Sequence, residues 1–326
     1  MKKILVTGSR GQVGSDLVAT LRQQYREIRV VESGRRNFSD TINQEFIYEV
    51  LDVTDSKRLS KIIEQYQVDT IYHLAGVLSA KGEQNPQLCW NVNVNGLRNI
   101  LEAARSYQLK VFCPSSIAVF GANTPKFQTP QVTIESPSTI YGITKVTGEL
   151  LCQYYADRFG VDVRSLRFPG IISYKTPPGG GTTDFAVEIF YQALQHGHYT
   201  CFVRPDTRLP MIYMPDAIAA ILQLMEVEPT SITVRSSYNL AAISFSAAEL
   251  VAEIQKYFPN FTCDYQPDFR QAIADTWPAV IDDAQARQDW GWQHSYDLTA
   301  IVTDMLEHLS LKSSEFGVLN SEFVFN

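Results

Sequence analysis

The sequence predicts an α/β fold: a doubly wound parallel sheet followed by a smaller C-terminal α/β substrate domain. Three observations predict it. Short apolar runs alternate with helix-spaced segments through the first half, the first run ends in a glycine-rich turn that opens a helix, and the alternation stops after Phe168.

Lys3-Ile4-Leu5-Val6-Thr7 is an apolar run closed by glycine, and Gln12 to Tyr25 carries Val13, Leu17, Val18 and Leu21 at helical spacing. A second strand covers Ile28 to Glu32, a third ends at Val50-Leu51-Asp52-Val53, and Lys57 to Tyr66 is helical. Thr70 to Ala75 is a buried-type strand, and a long helix fills much of Pro86 to Tyr107. Lys110 to Cys113 begins a further strand, Tyr141 to Phe159 forms a long helix, and Val161 to Phe168 returns to the sheet. Strands and helices alternating at this spacing give a parallel sheet covered on both faces. Beyond Phe168, Pro177-Pro178-Gly179-Gly180-Gly181 is a loop that no regular element absorbs. Helices follow at Asp184 to Gln195, Asp216 to Met225 and Ser246 to Tyr257, with a short strand at Met211 to Tyr213. Tyr265 to Val280, rich in Pro, Asp and aromatics, reads as a loop over a pocket. Residues 1–167, with about 213–243, form the dinucleotide-binding part; 168–212 and 244–309 form the substrate part; 310–326 read as a loose tail.

Composition narrows the function. In 326 residues the apolar share is 45% and the charged share 19%, as in an ordinary soluble enzyme. A net charge of -7 argues against nucleic acid or an anionic membrane as the main partner. The five cysteines lie far apart with no C-x-x-C pair, so scattered thiols fit better than a zinc site or a disulfide framework. No run has the length of a membrane span, and the apolar stretch after Lys3 is too short for a signal-peptide core, which makes the cytoplasm the default location.

Thr7-Gly8-Ser9-Arg10-Gly11-Gln12-Val13-Gly14 closes the first strand and opens the first helix. Glycines at Gly8, Gly11 and Gly14 let the backbone approach a pyrophosphate, and the N–H groups of Gln12 and Val13 face it from the helix N-terminus. This is a Rossmann-type start and calls for a dinucleotide. At the end of the second strand an acidic side chain would bond an adenosine 2′-hydroxyl, whereas arginines would accept a 2′-phosphate. Both signals are present, Glu32 and then Arg35-Arg36. Glu32 points to NAD, with NADP second. Asp52 and Val53 are placed to meet the adenine, and Leu74, Ala75 and Gly76 to line the middle of the cofactor.

Tyr141-Gly142-Ile143-Thr144-Lys145 carries the chemistry. Residues four apart share a helix face, so the ammonium of Lys145 can reach both the Tyr141 hydroxyl and a cofactor ribose. A neighbouring positive charge favours the phenolate, a usable general base. Ser116 follows a sheet strand and can bind the reacting oxygen opposite Tyr141, while Asn95 lies in the amide-rich string Asn91-Val92-Asn93-Val94-Asn95-Gly96.

With these motifs the chain resembles the extended short-chain dehydrogenase/reductase family from Lys3 to about Leu309. The resemblance implies a tetrad of Asn95, Ser116, Tyr141 and Lys145, cofactor contacts that include Phe168 and Ile171, no metal, and a homodimer formed through the helices carrying Asn95 and Tyr141. Longer strings resemble the short-chain-type L-threonine 3-dehydrogenases: Leu78 to Glu83, Phe168 to Ser173, Pro177 to Asp184, Leu209 to Asp216, and Thr276-Trp277-Pro278. That resemblance implies oxidation of L-threonine at its side-chain hydroxyl, with Ser79, Gly181, Thr182, Thr183 and Trp277 joining Ser116 and Tyr141 around the substrate. A nucleotide-sugar epimerase or dehydratase of the same fold is the alternative, and a non-enzymatic dinucleotide sensor a further one. One departure stands out. In ungapped register with threonine dehydrogenases, the acidic residue after the second strand falls on Gly34.

Overall fold

A computed structural model of the chain describes residues 2–25, 28–37 and 46–315. The first half runs β1 (Lys3–Thr7), α1 (Gln12–Gln24), β2 (Arg29–Gly34), β3 (Ile47–Val50), α2 (Ser56–Tyr66), β4 (Thr70–His73), α3 (Ser79–Gln84) and α4 (Pro86–Trp90). A π-helical stretch over Asn91–Gly96 joins α4 to α5 (Leu97–Tyr107), and β5 (Lys110–Ser116), α6 (Ile140–Phe159) and β6 (Val163–Phe168) complete this half. The second half adds β7 (Gly170–Ile172), α7 (Phe185–His196), β8 (His198–Cys201), β9 (Arg208–Tyr213), α8 (Met214–Glu226) and β10 (Tyr238–Asn239). It ends with β11 (Ile243–Ser246), α9 (Ala247–Gln255), β12 (Thr262–Tyr265), α10 (Phe269–Ala274), α11 (Ala284–Trp290) and α12 (Leu298–Glu315).

Ile4, Leu5 and Val6 in β1 are at most 2% exposed, which requires cover on both faces of the strand. Seven parallel strands supply the sheet, in the order β10-β6-β5-β4-β1-β2-β3. Leu17 and Leu21 of α1 pack with Ile218 and Ile221 of α8 on one face. Leu59 and Ile62 of α2, Ile100 of α5 and Tyr155 of α6 pack on the other. The chain runs outward from β1 to β2 and β3, then crosses back to β4, so the order reverses between β1 and β4. In such sheets the crevice at the carboxyl ends of the strands, at the reversal, is where ligands bind.

The remaining strands make a three-stranded sheet, β11-β9-β7, and a parallel pair, β12-β8. Their core gathers Phe185 and Phe190 of α7, Leu250 and Ile254 of α9, and Ile301, Met305 and Leu309 of α12. β10 returns to the large sheet beside β6.

Two sequence readings change. The stretch from Tyr265 to Val280 contains α10, started by the Asp268 carboxylate accepting from Arg270 N at 2.8 Å. Helix α12 runs past residue 310: it buries Ile301, Val302, Met305, Leu306 and Leu309 at helical spacing and continues to Glu315. Residues 316–326 lie outside the described residues.

Candidate active site

The turn after β1 is built for close approach. Gly8 has φ +70°, and a Cβ there would lie 2.7 Å from Ala75 N; a Cβ on Gly14 would lie 2.3 Å from Gly8 O. The turns after β1 and β4 therefore touch through backbone, and Thr7 ties them, its Oγ1 2.9 Å from His73 Nδ1 and accepting from Ala75 N at 3.3 Å. Burial, helped by the Lys145 charge, pushes the His73 imidazole down to about 3, so it stays neutral. Gly8, Gly11, Gln12, Val13, Gly14, Leu74, Ala75 and Gly76 line a cavity of about 280 Å³ that continues past Ser116, Tyr141 and Lys145 to Phe168 and Ile171. A turn in which side chains would fill the cradle, opening on unpaired helix N–H groups, fits a dinucleotide pyrophosphate.

At the far end of that cavity α6 presents Tyr141 and Lys145. Thr139 caps the helix, its Oγ1 accepting from Gly142 N at 3.0 Å. Gly142 is required by packing: a Cβ there would sit 2.2 Å from Ala118 O, so only glycine lets α6 press on the turn after Ser116. Lys145 Nζ donates to Pro114 O at 2.7 Å and lies 5.5 Å from the centre of the Tyr141 ring. Ser116 ends β5, with its Oγ accepting from Ala118 N at 3.2 Å.

Beneath these residues lies a buried network that sequence reasoning missed. Arg167 Nη2 meets Glu149 Oε2 at 2.7 Å, Ser115 Oγ donates to the same carboxylate at 2.5 Å, and Arg167 Nη1 donates to Asn239 Oδ1 at 3.1 Å. Arg167 also pairs with Glu135, whose carboxyl is pushed up to about 7, by burial first and by Glu149 second. The network ties α6, β5 and β6 together directly behind Ser116.

A second cavity of about 490 Å³ adjoins the first and shares Tyr141, Ser116, Gly76 and Ile171 with it. Ser79, Gly181, Thr182, Thr183 and Trp277 all line it, as does Arg35. The Asp184 carboxylate accepts from Gly179 N and Gly181 N, each at 2.7 Å, which folds the Pro-Gly loop over the cavity.

Four sequence assignments are not brought to these cavities. Asn95 turns away, its Nδ2 donating to Asn91 Oδ1 at 2.6 Å. Asn93, two residues earlier, faces the cavity instead. Its Oδ1 accepts from Val77 N at 2.8 Å, and its Nδ2 donates to Val77 O at 3.0 Å and Thr144 Oγ1 at 3.1 Å. The π-helical turn sets which of the two amides points inward. Glu32 is buried and held by Arg22 Nη2 at 2.7 Å and Arg10 Nε at 3.1 Å, so its carboxylate is engaged within the protein. Asp52 Oδ1 accepts from Thr54 N and Thr54 Oγ1, and Val53 packs in a small cluster with Val77, Cys89 and Val92; neither lines the two cavities.

The fold and this constellation define a dinucleotide-binding α/β protein with a short-chain-type Tyr-Lys pair. Residues 4–241 match the model of the NAD dependent epimerase/dehydratase family, and the chain belongs to that family. An X-ray structure of L-threonine dehydrogenase from Clostridium difficile is 49% identical, covers 96% of this chain and 98% of its own, and superposes with a TM-score of 0.93. A monomeric L-threonine 3-dehydrogenase from a metagenome is 47% identical over 95% of this chain and 99% of its own, with a TM-score of 0.90. An uncharacterized epimerase/dehydratase of Staphylococcus aureus is 48% identical over 96% of this chain and 98% of its own. Among the described residues no helix is long and apolar enough to cross a membrane.

Proposed function

We propose that this chain oxidises L-threonine at its side-chain hydroxyl, giving 2-amino-3-oxobutanoate, which loses carbon dioxide to form aminoacetone. The observation that carries the reading is one cavity bordered by Tyr141, Ser116, Ser79, Thr182, Thr183 and Trp277, next to the glycine-lined cleft. The likeness to L-threonine dehydrogenases over nearly the whole chain supports it.

The large sheet, residues 1–167 with about 213–243, holds the dinucleotide; residues 168–212 and 244–309 hold the substrate. When bound, the nicotinamide supplies an acceptor for the hydride that leaves threonine Cβ. Ser116 donates to the reacting oxygen, and Tyr141 as phenolate takes the hydroxyl proton. Lys145 holds its ammonium at the same corner through its bond to Pro114 O. Asn93 is a positioning residue: through Val77 and Thr144 it fixes the wall beside Tyr141. The Thr182-Thr183 segment and Ser79 receive the substrate carboxylate, and the Trp277 ring lies against the ammonium. Asp184 keeps the Pro-Gly loop folded, excluding water during hydride transfer.

A homodimer is part of the proposal. Ile143, Leu150 and Tyr154 form an exposed stripe on α6, 41%, 63% and 53% accessible, with Trp90 on α4 also exposed. Such an apolar stripe is suited to a second copy of the chain. Sedimentation at micromolar concentration checks it: a dimer supports this part of the account, and a persistent monomer removes it.

The enzymatic proposal is tested by offering either nicotinamide dinucleotide with L-threonine or with nucleotide-linked sugars. Net release of reduced dinucleotide with L-threonine, and none with the sugars, supports the assignment. Interconversion of a nucleotide sugar without net reduction would transfer it to the epimerase alternative.

A further inference from the structure

The carboxyl end of β2 is the place where this cleft chooses between dinucleotides, and its charges are the reverse of what an adenosine 2′-hydroxyl needs. Glu32, the one acidic side chain in β2, has an arginine on each carboxylate oxygen, Arg22 on Oε1 and Arg10 on Oε2. Two residues on, where the strand presents the same face again, stands Gly34. A Cβ at Gly34 would meet the Tyr48 hydroxyl at 2.9 Å, and that hydroxyl donates to Arg36 O at 2.8 Å. Tyr48 thus holds the space next to Gly34, and Arg10 lies 5.8 Å from the centre of the Tyr48 ring.

Arg35 and Arg36 follow at once and are both exposed. Arg35 lines the larger, adjoining cavity, where it stands with Gln12 and Gly76 of the glycine-lined cleft. Among the described residues Arg35 and Arg36 take part in no ion pair, and the nearby Asp52 carboxylate is turned back onto Thr54. Guanidinium groups around a site whose described carboxylates are engaged elsewhere form a receptor for a dianionic phosphate.

We propose that the adenosine end of this cleft is built for a 2′-phosphorylated ribose, with Arg35 and Arg36 as the specificity-determining residues, so that NADP(H) is the preferred dinucleotide. The inference rests on the dinucleotide reading of the glycine-lined cleft. It turns the sequence preference for NAD around, because that preference depended on Glu32 being free to meet the ribose.

Calorimetric titration with ADP-ribose and with 2′-phospho-ADP-ribose tests it without any turnover. The phosphorylated ligand is expected to bind at least roughly tenfold more tightly at low salt, with the ratio shrinking as ionic strength rises. The double variant Arg35→Ala, Arg36→Ala should lose most of that preference while changing ADP-ribose affinity by no more than about twofold. Equal or tighter binding of ADP-ribose by the unmodified protein would overturn the inference, as would equal weakening of both ligands in the double variant. Failure of the protein to bind either ligand would instead remove the dinucleotide reading, and the inference with it.

Discussion

Replacing Asn93 by alanine, beside the matched change Asn95→Ala, separates an inward amide from an outward one in the same short string. Asn93 satisfies both backbone groups of Val77, accepting from its N–H at 2.8 Å and donating to its carbonyl at 3.0 Å. Val77 is 6% exposed and Asn93 itself 8%, so water replaces these bonds poorly. Each buried group left without a partner costs roughly 1–3 kcal/mol, and two of them bracket the loss at about 2–6 kcal/mol. Water entering from the cavity offsets part of this, leaving an expected destabilisation of about 2–4 kcal/mol. Asn95, bonded only to the exposed Asn91, should cost no more than about 0.5 kcal/mol. Urea unfolding measures both. Turnover should fall in the Asn93 variant as well, because its amide also holds Thr144 on the helix that carries Tyr141. Equal losses of stability and turnover in the two variants would refute the reasoning.

Further expectations follow from neighbouring parts of the site. Tyr141→Phe should reduce turnover at least about a hundredfold while leaving dinucleotide affinity within about twofold, read by steady-state rates and by calorimetry; turnover near the unmodified level would remove Tyr141 as base. Asp184→Ala frees the Gly179 and Gly181 amides and should raise the substrate KM more than it lowers kcat; unchanged KM would detach the loop from substrate binding. His73 gives a pH dependence of stability. Its folded value of about 3 lies below the ordinary 6.5, so the unfolded chain binds the extra proton in between and stability falls as pH drops through that window. Between pH 7 and pH 5 the residue should account for about 2 kcal/mol of lost stability, and His73→Gln should remove that share of the slope. An unaltered slope in the variant would show that His73 is not held neutral.

The parts of the fold legible in the sequence are those set by local pattern. The apolar run of β1, the glycine turn and the spacing of Leu17 and Leu21 are contiguous, and they dictate a strand, a phosphate-type turn and a helix packed on the sheet. Tyr141 and Lys145 were readable because one helix turn joins them. Asn93 and Asn95 were not separable, since both are asparagines two apart in one string and only the π-helical winding turns the first inward. The engagement of Glu32 depends on Arg10 and Arg22, which belong to the preceding turn and helix. The network of Ser115, Glu149, Arg167 and Asn239 joins residues from β5, α6, β6 and β10, and no local spacing encodes it. In α10 the helix is six residues long, too short for periodicity to outweigh the surrounding prolines and aspartates.

The most direct test of the central claim follows a label. L-Threonine carrying deuterium at Cβ is incubated with the protein and the oxidised dinucleotide, and the reduced dinucleotide is weighed by mass spectrometry. The account predicts that the deuterium is found on the nicotinamide ring, one atom for each aminoacetone formed. Aminoacetone formed alongside unlabelled reduced dinucleotide, or deuterium that appears only in the solvent, would contradict it.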